Sequence, residues 1–222
     1  MSVVRRIGLT PEREWTLVRL LQLCMLGIFL LGLVNRDPGI MVNAGAGLLV
    51  SLLPAALERN YGFTVDVGLV LWIAVAMFLH AFGTVPLPGL DFSTLYGGTW
   101  WWDHLTHALS ASLVVGVAYT GARALDEHSE AIALPPRFLA LYLLVFVLAF
   151  GVVWELLEFY ISVASGVIGG EAVLTQYGLE DTVLDIVYDS VGGLVVAVVG
   201  TAHLTGVVDQ LAARLDERAA NR

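Results

Sequence analysis

The sequence predicts an all-α, polytopic membrane helical bundle with about six transmembrane helices and both termini cytoplasmic. Three observations predict it. The chain is 58% hydrophobic and only 14% charged, with a mean hydropathy of +0.80, whereas a soluble domain carries roughly 25% charged residues. Apolar runs of the ~20 residues needed to cross a bilayer recur along it, divided by short polar turns. Arginine is distributed unevenly between alternate turns, the pattern that sets orientation in membrane proteins.

The elements follow in order. The first apolar run covers 15–34 and is preceded by Arg5, Arg6 and Arg13. A signal peptide also begins with basic residues, but this run is long and no small-residue cleavage site follows, so a retained helix is expected. Arg19 lies one turn inside and can snorkel to the interface. Asn35-Arg36-Asp37-Pro38 forms a tight turn, and a second span covers 39–57. There Gly45 and Gly47 permit close helix approach and Pro54 predicts a kink. After the polar stretch 58–66, a third span covers 67–85 and carries His80 near its end.

A Pro- and Gly-rich loop, 86–99, leads into Trp100, Trp101 and Trp102, which read as an interfacial belt. The fourth span covers 103–119, a charged loop follows at 123–136, and the fifth span covers 138–160 within an apolar stretch that outlasts the bilayer. A loop at 169–180 precedes the sixth span, 182–204. Residues 1–204 thus form one transmembrane domain, and 205–222 an amphipathic cytoplasmic tail. Its Val208, Leu211 and Leu215 share a helical face for the membrane surface or the bundle.

Composition excludes several functions. The net charge is −9, from 20 acidic and 11 basic residues, and every basic residue is Arg. No basic footprint for nucleic acid exists; membrane lipids are the expected partners. Acidic excess without Lys suits a surface hydrated in high salt, and GC-rich coding produces the same bias. Cys24 is the single cysteine, so an intrachain disulfide and a thiolate metal site are both ruled out. It reads as a small buried apolar residue.

Arg5, Arg6, Arg13, Arg59, Arg123, Arg137, Arg214, Arg218 and Arg222 fall on one set of turns, and only Arg36 on the other. The first set is expected in the cytoplasm of a plasma-membrane protein. His80 then ends the third span at the outer level, where Asp103, His104 and His107 open the fourth. Glu155 and Glu158 lie in the outer half of the fifth, and Asp181, Asp185 and Asp189 descend from the outer end of the sixth. Three- and four-residue spacings put each set on one helical face. An unpaired charge inside a membrane costs about 2.5–3.5 kcal/mol on the insertion scale, so such groups share a cation, share protons or line a wet cavity.

Imidazole and carboxylate together suit a divalent ion such as Zn, Mn or Fe. His107, Glu155, Asp181 and Asp185 are the expected ligands, with Glu158 as general base. His80, Asp103, His104 and Asp189 complete the polar cluster. Plainer roles compete: Asp103 and Asp181 stand where helix N-caps are expected, His80 suits a satisfied interior histidine, and Glu158 can reach the interface.

At these residues the chain resembles the YjdF-like inner-membrane family, similar in general plan to VanZ-like proteins. The likeness rests on Leu79-His80-Ala81 with Gly83, Trp102-Asp103-His104-Leu105-Thr106-His107, Trp154-Glu155-Leu156-Leu157-Glu158-Phe159, Asp181-Thr182-Val183-Leu184-Asp185 and Gly192-Gly193. It extends over about residues 20–200. The resemblance implies a small multi-helix membrane protein and carries no established reaction. In the VanZ-like pattern Asn is usual where Asp189 stands, implying a neutral polar contact there. The functional expectation is a metal-dependent enzyme or binding site acting on a lipid or envelope component at the extracytoplasmic leaflet. A proton-coupled transporter, or a structural, partner-binding membrane subunit, would use the same acids differently.

Overall fold

The computed structural model describes residues 10–89, 94–168, 173–174 and 177–221, without the side chains of 168 and 199–202. Arg5 and Arg6 of the basic start, Arg222, and parts of the expected loops at 86–99 and 169–180 lie outside the described residues. Every regular element described is helical: α1 Pro11–Asn35, α2 Pro38–Tyr61, α3 Val67–Gly83, the single turn α4 Leu95–Gly98, α5 Trp100–His128, α6 Pro136–Ile168, α7 Leu179–Val195 and α8 Thr201–Ala220. A π-helical segment, Val196–Gly200, joins α7 to α8.

Helices α1, α2, α5 and α6 are each long and apolar enough to cross a membrane. Helix α3 is apolar but has only 17 residues, and α7 with α8 passes the same test only as a pair bent by 80°. The sixth span is expected over 182–204; the helical axis turns near its end, beside the π segment, where a wider turn breaks the regular hydrogen-bond ladder.

The ends of the helices are chemically specified. Arg36 closes α1 with a left-handed φ of 55°. Asp37 then accepts a hydrogen bond from Ile40 N at 3.0 Å, and Pro38 occupies the first turn of α2, where no N–H is needed. Helix α2 runs through Pro54 and stops at Gly62, which has φ 61° and donates to the Glu58 carbonyl. Asp66 caps α3 by accepting from Gly68 N.

Helices α1, α2 and α3 pack mutually, and α5, α6, α7 and α8 form a second group in which α5 packs most extensively on α7. The first group has two small apolar centres, one holding Val18, Val70 and Ala74, the other Met25, Ala44 and Ala81. Small residues allow this approach: a Cβ on Gly47 would stand 3.1 Å from the Met77 carbonyl oxygen. The second group closes on Ala111, Val115, Ala118, Ala122, Leu139, Leu143, Val147, Val196 and Leu204. The tail face foreseen at Val208, Leu211 and Leu215 packs on the bundle beside Ala124.

Three local expectations change. Cys24 is exposed on α1 among outward-facing Leu23 and Leu20; the expected burial fails because a lipid-facing helix surface is apolar too. Trp100 and Trp101 are exposed, but Trp102 is buried, tilted against the Phe82 ring, so it belongs to the α3–α5 seam rather than to a belt. The loop before α5 contains α4, whose Tyr96 reaches back to α3.

Candidate intramembrane metal centre

Three stripes of side chains build the centre. On α5, Asp103, His104 and His107 occupy the first two turns. On α6, Gly151, Glu155 and Glu158 are spaced by four and three, and on α7, Asp181, Asp185, Asp189 and Gly192 are spaced by four, four and three, so each set stays on one face. Helix α7 lies so close to α5 that a Cβ on Gly192 would overlap the backbone carbonyl of Ala108. That contact sets the axial register that carries Asp185 to His104 and Asp189 to His107.

His104 Nδ1 lies 2.7 Å from Asp185 Oδ1, and the His104 ring stacks on Tyr188 with centroids 4.8 Å apart and planes 5° apart. His107 Nδ1 lies 3.3 Å from Asp189 Oδ1. Its other nitrogen, Nε2, faces Asp103 Oδ1 at 3.7 Å and Asp185 Oδ2 at 4.0 Å. His104, His107, Glu155, Glu158, Asp185 and Asp189 are all buried. Asp185 is 1% exposed, and its Oδ2 is buried without a hydrogen-bond partner among the described residues.

The residues fall into three overlapping groups whose ligand atoms lie within 4.8 Å of one another: Asp103, His107 and Asp185; His104, Asp181 and Asp185; His107, Glu155 and Glu158. Asp185 joins the first to the second, and His107 the first to the third. Four ligands at ~2.1 Å around a tetrahedral ion stand about 3.4 Å apart. Closing the His107–Asp103 and His107–Asp185 separations of 3.7 and 4.0 Å to that value takes movements of roughly 0.3–0.6 Å. The set His107, Glu155, Asp181 and Asp185 is thus not gathered in one group: Asp181 falls with His104.

The capping alternatives resolve separately. Thr99 is the N-cap residue of α5, so Asp103 stands a turn inside and faces His107. Asp181 does serve the start of α7, where its Oδ2 accepts from Tyr177 N at 3.2 Å. Glu158 Oε1 accepts from Trp154 Nε1 at 3.1 Å, one turn earlier on α6.

His80 takes no part in these groups. Its Nε2 lies 2.6 Å from Ser110 Oγ and its Nδ1 2.8 Å from Tyr96 OH. Tyr96 OH donates to Thr106 Oγ1 at 3.3 Å, and Thr106 donates to the Asp103 carbonyl at 2.8 Å. Assigning protons along that chain puts the His80 proton on Nδ1 and lets Ser110 donate to Nε2. Histidine and three hydroxyls thereby tie α3 and α4 to the first turns of α5. Tyr96 sits beneath Gly83, where any Cβ would strike its ring.

Sequence reasoning missed Tyr96, Tyr177, Tyr188 and Gly151. The carboxylate of Asp189 rests on Gly151, where an added Cβ would lie 2.5 Å from Oδ2. Burial, then the nearby carboxylates Asp103, Asp181 and Glu158, raises the Tyr177 phenol above its ordinary value, which puts this loop residue within the electrostatic reach of the cluster. Tyr96 is raised too, chiefly by burial. Aromatic residues near helix ends offered no local signal beyond that of interfacial anchors.

No curated protein and no solved structure matches the chain. A family model described as a predicted membrane protein, DUF2238, matches residues 17–206, a stretch that takes in the helices of the cluster. This is consistent with the YjdF-like resemblance, and the chain belongs to the DUF2238 family of predicted membrane proteins.

Proposed function

We propose that this membrane protein holds a divalent cation between α5, α6 and α7 and uses it on a lipid or envelope component. The observation that carries the reading is the proton inventory around His107. With Asp189 accepting from Nδ1, the Nε2 lone pair points toward two carboxylate oxygens, one of which has no hydrogen-bond donor among the described residues. Buried acceptors facing one another share a proton or a cation, and donors that mix imidazole with several carboxylates support the cation. An imidazole oriented by a carboxylate behind it is also the usual support for a metal-binding histidine.

His107, Asp103 and Asp185 would supply ligands, joined by Glu155 from the third group. Mixed imidazole and carboxylate donors without thiolate suit Zn, Mn or Fe. Such an ion supplies Lewis acidity, the chemistry that activates water near neutral pH. Glu158, buried within the His107 group and steadied by Trp154, is the residue to accept the proton. In a chain with six spans and cytoplasmic termini the cluster sits at the outer leaflet, at the depth of lipid headgroups. The apolar layer from Ala111 to Leu204 beneath it supports a site closed toward the other side rather than a transport path.

Metal analysis of detergent-purified protein tests the reading. Wild type loaded with Mn or Zn and then desalted is expected to retain metal, while Asp185→Asn and His107→Gln retain less. Negligible metal in all three sinks the proposal.

A further inference from the structure

Asp185 is the pivot of the centre, and its two oxygens face different histidines. Oδ1 lies 2.7 Å from His104 Nδ1, and Oδ2 faces His107 Nε2 at 4.0 Å. Each histidine brings its own acid, Asp181 on the His104 side and Asp103 on the His107 side. We infer that the centre is dinuclear, with Asp185 bridging two divalent ions, one held by His104 and Asp181 and the other by His107 and Asp103. The inference rests on the metal-binding reading above and adds to it a second ion and the bridge.

Four features support it. The bridging residue is buried, with one oxygen lacking a hydrogen-bond donor among the described residues, so an acceptor is aimed into the space beside His107. The two imidazoles are positioned by different devices, His107 by Asp189 and His104 by its stack on Tyr188, so neither is a copy of the other's support. Among the described residues no one group holds both histidines within 4.8 Å, so a single ion does not gather both sets. A carboxylate spanning two ions suits the separation of roughly 3.5–4 Å found in two-metal sites. Charge supports it as well: Asp103, Asp181, Asp185, Asp189, Glu155 and Glu158 gather within three helices around only two imidazoles. One divalent ion neutralises fewer of these carboxylates than two.

The occupancy of each half can be read separately. Purified protein is saturated with Mn, freed of excess metal, and measured for Mn per chain and by electron paramagnetic resonance. Wild type is expected to hold two ions per chain with an exchange-coupled spectrum. His104→Gln and Asp181→Asn are each expected to hold one ion, with the spectrum of an isolated Mn. Asp185→Asn loses the coupling in any ion it retains. Thermal unfolding monitors the fold of each variant, and Tyr188→Leu, which removes only the stack, should weaken the His104 half alone. One ion per chain in wild type, unchanged by His104→Gln, overturns the dinuclear inference and leaves the metal-binding reading intact. No retained metal in wild type removes both.

Discussion

Replacing Gly192 with alanine adds one methyl where α7 lies against the Ala108 carbonyl of α5. The obstacle is backbone, not a side chain that can rotate away. Restoring an ordinary carbon–oxygen contact requires the helices to part by roughly 1 Å. A rigid displacement of that size stretches the 2.7 Å His104–Asp185 contact to roughly 3.7 Å, beyond hydrogen bonding. It also exceeds the ~0.2 Å tolerance of metal–ligand distances. Overpacking of this kind costs about 1–3 kcal/mol. Gly192→Ala is therefore expected to unfold at lower temperature and to lose its metal while the helix content persists. Gly193→Ala is the control, because its Cβ first meets side-chain methyls of Val115 and Val147, each at 3.3 Å, so a shift of a few tenths of an ångström suffices. Metal content and circular dichroism melting of both variants in detergent provide the assay. Wild-type metal retention and melting in Gly192→Ala would refute the claim that this contact sets the register of the site.

Asp189→Asn keeps an oxygen for His107 Nδ1 and should retain metal affinity within a few-fold. Asp189→Leu removes the acceptor and should weaken binding by about 10–100-fold, or ~1.4–2.7 kcal/mol, measured by metal competition titration. His80→Phe should lower stability by about 1–3 kcal/mol by stranding Ser110 and Tyr96, yet leave metal content unchanged; loss of metal there would place His80 in the centre. The six-span arrangement predicts opposite exposure of two loops. In a Cys24→Ala background, Pro88→Cys should react with an impermeant maleimide from outside the cell and Glu130→Cys only after the membrane is opened.

Much of the architecture was legible from local chemistry. Asp37 followed by Pro38 has one use, to end a turn and start a helix, and it does so between α1 and α2. The apolar runs marked the membrane helices, because lipid asks for little beyond length and hydropathy. The periodic acids and histidines already pointed to a single cluster. Where the reading failed, the deciding quantity was not local. Whether Trp102 faces lipid or Phe82, and whether Cys24 is inward or outward, depends on which face a neighbouring helix takes. An apolar environment on both sides leaves no polarity signal to tell them apart.

The amino-acid sequence by itself determined that this is a helical membrane protein and which residues carry its polar chemistry, since hydropathy and spacing are properties of each segment alone. Tertiary structure decided how those residues are partnered. It divided one expected ligand set into overlapping groups, put Asp181 with His104 and His107 with Asp103, and gave both to Asp185. It set His80 apart among hydroxyls. The physical reason is the closeness of α5 and α7 at Gly192: backbone contact there holds the axial register of the two helices, and a slide of one turn, ~5.4 Å along the axis, would carry Asp185 from His104 to His107.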